Sequence, residues 1–102
     1  VKSGSSGIWV QSSHDAVIKG NTITDNEDNG IHIYLGSSGT VNNNNITGNG
    51  IGLNSAVATR IDATNNWWGP GGAGDNAGKP GEDGNNGVTG NVDFTPWAKT
   101  KF

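Results

Sequence analysis

One short pattern returns three times along the chain. It is a Gly-Ile pair opening an alternating run, at Gly7-Ile8-Trp9-Val10, Gly30-Ile31-His32-Ile33 and Gly50-Ile51-Gly52-Leu53. An asparagine-led tetrad follows each one: Asn21-Thr22-Ile23-Thr24, Asn44-Asn45-Ile46-Thr47 and Asn65-Asn66-Trp67-Trp68. The distance from Gly to this Asn is 14, 14 and 15 residues, while the Gly-Ile pairs stand 23 and then 20 residues apart. Three extra residues within Glu27-Asp28-Asn29, on one turn, account for the difference and leave the rest in register. A repeat of this length is one supersecondary unit that cannot bury its apolar face alone, so successive copies must stack and supply each other's core.

Within each copy the apolar residues alternate, as Ile8 with Val10, Ile31 with Ile33 and Leu35, and Ile51 with Leu53. Period two is the signature of strands with one buried face. Further apolar positions recur at Ile18, Val41 and Ile61, and at Ile23, Ile46 and Trp67. Each copy thus predicts about three short strands, with core ladders Ile8/Ile31/Ile51, Val10/Ile33/Leu53, Ile18/Val41/Ile61 and Ile23/Ile46/Trp67. Asn21/Asn44/Asn65 would stack at a turn, where side-chain amides bond up and down the ladder. Composition agrees: among 102 residues there are 18 glycines and abundant asparagine, with 30% hydrophobic residues. Glycine is free to adopt positive φ and asparagine tolerates it, so such a chain turns often and makes few helices. With no cysteine, neither disulfides nor thiolate metal sites staple the domain.

G-I-x-V/I/L followed by N-x-I-T-x-N at this spacing is similar to the right-handed parallel β-helix repeat of the pectate-lyase-like superfamily, over residues 7 to about 69. The ending NNWWGP, a Gly-rich stretch and Gly90-Asn91-Val92-Asp93-Phe94-Thr95-Pro96-Trp97 resembles the last coil of bacterial and archaeal cell-surface β-helix proteins. The resemblance implies an all-β solenoid of three parallel sheets, about three coils plus a C-terminal cap, extracellular and often concerned with carbohydrate. It does not fix an activity, since this fold hosts lyases, hydrolases, epimerases, adhesins and inert stalks. The expected division is coils over residues 1–69 and a Gly-rich loop with capping segment over residues 70–102.

Adjacent strand residues face opposite ways, so only one of Trp67 and Trp68 can continue the core. The register above selects Trp67, with Trp68 in line with Thr24 and Thr47. Val88, Val92 and Phe94 resume an alternation after the Gly-rich stretch. A returning segment is therefore expected to cover the end of the solenoid together with Trp68 and Trp97. Residues 1–6 are too few and too polar to close the other end, so further coils are expected to precede Val1, and the open end could pair with a second copy.

The expected surface site is the outer face of the first sheet, with Trp9, His32 and Gly52 in one outward row and Gln11, Tyr34 and Asn54 in the next. Aromatic rings beside amides suit a polysaccharide, whose ring faces stack while hydroxyls take hydrogen bonds. No catalytic residue is assigned. Asp15, Asp25 and Asp62 fall on different turns and strands, no two of them on one face, and His14-Asp15 reads as a polar turn. Asp25, Glu27 and Asp28 offer clustered oxygens on the extended turn and are the candidate calcium ligands, with Asp75, Glu82 and Asp83 as a second cluster; neither has EF-hand spacing. No other cofactor is expected. A formal net charge of −3 without a Lys/Arg cluster gives no footprint for nucleic acid. No apolar run approaches the ~20 residues of a membrane span. Gly48-Asn49-Gly50-Ile51-Gly52 precedes a strand and so is not a phosphate loop. The sequon Asn45-Ile46-Thr47 follows from the repeat itself. The chain therefore reads as a non-enzymatic structural or carbohydrate-binding segment of an extracellular surface protein. The alternatives are the end of a polysaccharide lyase, hydrolase or epimerase with its catalytic residues upstream, and a self-assembly module.

Overall fold

The computed structural model describes residues 6–11, 15–34, 37–57, 60–69 and 86–102. His14, Leu35, Asp75, Glu82 and Asp83, all part of the expectations above, lie outside the described residues. The first coil holds β1 (Ser6–Gln11), β2 (Ala16–Lys19) and β3 (Thr22–Thr24). The second holds β4 (Asn29–Tyr34), β5 (Gly39–Asn42) and β6 (Asn45–Thr47), and the third holds β7 (Ile51–Ser55) and β8 (Ile61–Asp62). Two short strands, β9 (Gly87–Thr89) and β10 (Val92–Asp93), follow. The strands stack into three sheets ordered β1-β4-β7-β9, β2-β5-β8-β10 and β3-β6, with every pairing parallel. Trp67 extends the third sheet through a parallel bridge to Asn45.

The first two coils keep the predicted register: Ile8 lies beside Ile31, Val10 beside Ile33, Ile18 beside Val41 and Ile23 beside Ile46. The third coil does not. Ile31 pairs with Leu53 and Ile33 with Ser55, while Ile51 pairs with Asn29. Gly52, not Gly50, sits under Gly7 and Gly30. The cause is the turn after the ladder asparagine, which takes three steps from Asn26 to Asn29 and two from Asn49 to Ile51. One residue is lost there, rather than three inserted in the preceding turn. The Gly50-Ile51 pair belongs to that shortened turn and imitates the motif one step early.

The same shift carries through the coil. Thr40 pairs with Asp62, which puts Ala63 rather than Ile61 in line with Ile18 and Val41. Asn66 rather than Asn65 completes the asparagine ladder. With Asn45 beside Trp67, Ile46 aligns with Trp68, so Trp68 is the inward residue, 3% exposed, and Trp67 faces out. The plug is the second tryptophan of the pair. Its bulk comes with smaller inward neighbours in the same coil, since Val41 is followed by Ala63 and Ile33 by Ser55.

Two asparagine ladders hold the corners. Asn21 donates from its backbone N–H and Nδ2 to Asn44 Oδ1 (2.9 and 3.2 Å), and Asn44 does the same to Asn66 Oδ1 (both 3.0 Å). Each ladder residue follows a left-handed one: Gly20, Asn43 and Asn65 have φ of 71°, 58° and 61°. The second ladder, unforeseen from the sequence, runs from Asn26 to Asn49 Oδ1 (3.1 and 2.8 Å) and from Asn49 to Asn86 Oδ1 (3.3 and 3.0 Å). The N-x-I-T-x-N signature is thus both ladders at once, flanking one three-residue strand with a single inward isoleucine. Gly30 makes room for the second ladder, because a Cβ there would stand 2.8 Å from Asn49 Nδ2 and 2.6 Å from Gly52 O.

Position 71, where the third copy would place its second ladder asparagine, is glycine. Asn86 fills that place and donates to Ile46 O and Trp68 O (2.8 and 2.9 Å). From it β9 pairs with β7 and β10 with β8, and Ala98 N–H donates to Asn66 O. Residues 86–102 therefore add to the stack as a shortened turn, with Val92, Phe94 and Trp97 packed against the core. At the other end, β1, β2 and β3 are the edge strands of all three sheets. Yet the inward residues Val10, Ile18 and Ile23 of that first coil are buried, Ile23 completely.

Candidate functional site

The outer face of the first sheet collects three ring side chains, Trp9, His32 and Tyr34. Parallel pairing sets Trp9 of β1 beside His32 of β4, and His32 beside Asn54 of β7, with Thr89 of β9 next. Gln11 stands beside Tyr34 in the adjoining row. Both expected rows are corrected in the third coil: Asn54, not Gly52, follows Trp9 and His32, and so Asn54 does not follow Gln11 and Tyr34, because of the one-residue loss after Asn49.

The three rings touch one another. Trp9 meets His32 and Tyr34 edge to face, with centroids 4.8 and 5.4 Å apart, and His32 stacks on Tyr34 at 5.3 Å. Trp9 Nε1 donates to Gln11 Oε1 (3.0 Å), which fixes the indole on its strand. Trp9 nevertheless remains 55% exposed, a large aromatic surface held in place and facing water. Beside it lies a polar strip in which Asn54 Nδ2 donates to Asn29 Oδ1 (3.3 Å) and Asn29 Nδ2 to Ser6 Oγ (3.3 Å). His32 Nδ1 is buried without a hydrogen-bond partner. Five residues expected at this site, Trp9, Gln11, His32, Tyr34 and Asn54, thus lie together on one face.

The acidic turn is arranged differently. Asp25, Glu27 and Asp28 are exposed, and Asn26 between them is buried in the second ladder. Among the described residues no group of three or more His, Asp or Glu side chains is placed to hold a metal ion.

One pair of carboxylates does align, Asp62 with Asp93, a residue outside the expectation drawn from Asp15, Asp25 and Asp62. Asp62 and Asp93 are register partners on β8 and β10 and leave the same face of the second sheet. Asp62 Oδ1 accepts from Thr64 N–H (3.1 Å), the Thr64 hydroxyl (2.8 Å) and Asn42 Nδ2 (3.3 Å). Asp93 Oδ1 accepts from Thr95 N–H (3.2 Å) and stands 3.8 Å from Arg60 Nη2. The backbone N–H of Thr64, then its hydroxyl, hold the Asp62 carboxyl below its ordinary value. A general acid working near neutrality needs the opposite shift. The two carboxylates therefore act as caps of two D-x-T turns. The sequon asparagine is likewise engaged: Asn45 is buried, accepting from Phe102 N–H (2.9 Å) and donating to Phe102 O (3.3 Å).

Parallel sheets, stacked inward ladders and corner asparagines describe one architecture, and the family described as right handed beta helix region matches residues 1–68. The chain belongs to the right-handed β-helix family. No curated protein and no solved structure matches it. In this β-helix the ladders fix the strands in place, and the strands fix the aromatic face: Trp9, His32 and Asn54 come together only because their strands are paired at this register.

Proposed function

We propose that this β-helix is a non-enzymatic segment of an extracellular or cell-surface protein that binds polysaccharide through the outer face of its first sheet. The observation that carries this reading is the exposed Trp9 indole, pinned by Gln11 and clustered with His32 and Tyr34 beside the amide of Asn54. A pyranose has one face rich in C–H groups and a rim of hydroxyls. Rigid aromatic rings take the first and side-chain amides the second, with little entropy lost because the site is already ordered. A stack of parallel strands suits a rigid stalk, since each coil rests on the next.

Retention on a panel of immobilised polysaccharides tests the proposal. The wild type is expected to be held by at least one of them, and Trp9→Ala and Tyr34→Ala to elute with the void volume while keeping the wild-type circular dichroism spectrum. Equal retention of wild type and both variants would overturn it.

A further inference from the structure

The chemical class of the glycan follows from what surrounds the aromatic cluster, and this step rests on the proposal above. Along the face, the side chains of Ser6, Trp9, Gln11, His32, Tyr34, Asn54 and Thr89 are aromatic, amide or hydroxyl, and none carries a fixed charge. The described cations stand elsewhere. Lys19 is on β2 of the second sheet, Arg60 precedes β8 and pairs with Asp93, and Lys99 and Lys101 follow the last strand. The turn leading into β4 carries Asp25, Glu27 and Asp28, all exposed, so one rim of the face is acidic, and the net charge of the chain is −3.

An acidic polysaccharide bound here would bring carboxylates or sulfates to a surface whose described residues offer no guanidinium or ammonium to receive them, beside carboxylates that repel them. An uncharged sugar meets no such cost. Its hydroxyls find donors and acceptors in the amides of Asn54 and Gln11 and in the Thr89 hydroxyl. We infer that the ligand of this face is an uncharged glycan, chosen over uronate or sulfate polymers because the described residues of the face include no cation and the turn at its rim is acidic.

Calorimetric titration with three probes of similar length tests this: an uncharged β-glucan oligosaccharide, an oligogalacturonate and a glucosamine oligomer, each at 50 and 500 mM salt. The uncharged oligosaccharide is expected to bind at least tenfold more tightly than the oligogalacturonate. That affinity should be unchanged by salt, because no charge is screened, and lost in Trp9→Ala. Asn54→Arg, which places one guanidinium in the row, should raise oligogalacturonate affinity severalfold at 50 mM salt. Tighter binding of oligogalacturonate by the wild type, lost in Trp9→Ala, would overturn the inference and leave the glycan-binding proposal standing. Tighter, salt-sensitive binding of the glucosamine oligomer would overturn it in favour of a cationic ligand drawn by the acidic rim. No binding of any probe, with the polysaccharide panel also negative, would remove the proposal and the inference together.

Discussion

Asparagine carries most of the local logic. Asn44 accepts two hydrogen bonds from Asn21 and donates from Nδ2 to Ile18 O, Asn42 O and Asn66 Oδ1, those to Ile18 and Asn66 being buried. Removing it orphans buried backbone carbonyls as well as the neighbouring amide. Asn44→Ala should cost about 2–4 kcal/mol in urea unfolding, from several unsatisfied groups at roughly 1–3 kcal/mol each before relaxation. Asn45→Ala, one residue away but bonded only to Phe102, should cost about 1 kcal/mol. Asp62 gives a pH test. Its carboxyl is held below its ordinary value in the fold, so its contribution is present above the unfolded carboxylate range and is lost as pH falls through the folded value. The stability difference between wild type and Asp62→Ala should be full at pH 7 and vanish in strong acid; a difference that grows on acidification would contradict the assignment. The recurring N-x-I-T-x-N was legible as a turn motif, but the burial of its second asparagine was not, because an amide looks the same in sequence whether it faces water or a neighbouring coil.

At the scale of elements, one residue decides the register of the third coil. The alternation of apolar residues made each strand legible, and the first two coils follow the predicted pairing throughout. The third escaped because Gly50-Ile51 satisfies the local motif while the backbone count after Asn49 is one short, and local pattern carries no information about turn length. Tryptophan order follows from that shift. Trp68→Ala should destabilise by about 3–5 kcal/mol, the usual cost of emptying a large aromatic site, whereas Trp67→Ala should cost about 1 kcal/mol. The opposite ranking in denaturant unfolding would restore the register drawn from the sequence. Ala63→Ile, which adds bulk in the inward column of the coil that already holds Trp68, should also destabilise, by about 1–3 kcal/mol, where the same enlargement at exposed Ala56 should not.

For the whole molecule, the solenoid and its returning segment were readable, and the asparagine that completes the second ladder was not. Asn86 lies 37 residues beyond Asn49 yet completes its ladder, a pairing that no periodicity announces because the intervening Gly-rich stretch breaks the count. The aromatic face was half legible. Outward positions on β1 and β4 follow from alternation, but the place of Asn54 depends on the register that the short turn sets. What ties the scales together is that asparagine ladders fix the coils, the coils align Trp9 with His32, and the aligned rings form the surface proposed to take a sugar. Nuclear magnetic resonance titration tests that chain of cause directly, because the four tryptophans give four indole N–H signals with distinct surroundings. On adding an uncharged β-glucan oligosaccharide, the Trp9 indole signal should shift in a saturable way together with His32 and Tyr34, while the buried Trp68 signal stays still. Shifts confined to Trp97 or Trp67, or none at all at saturating glycan, would contradict the account.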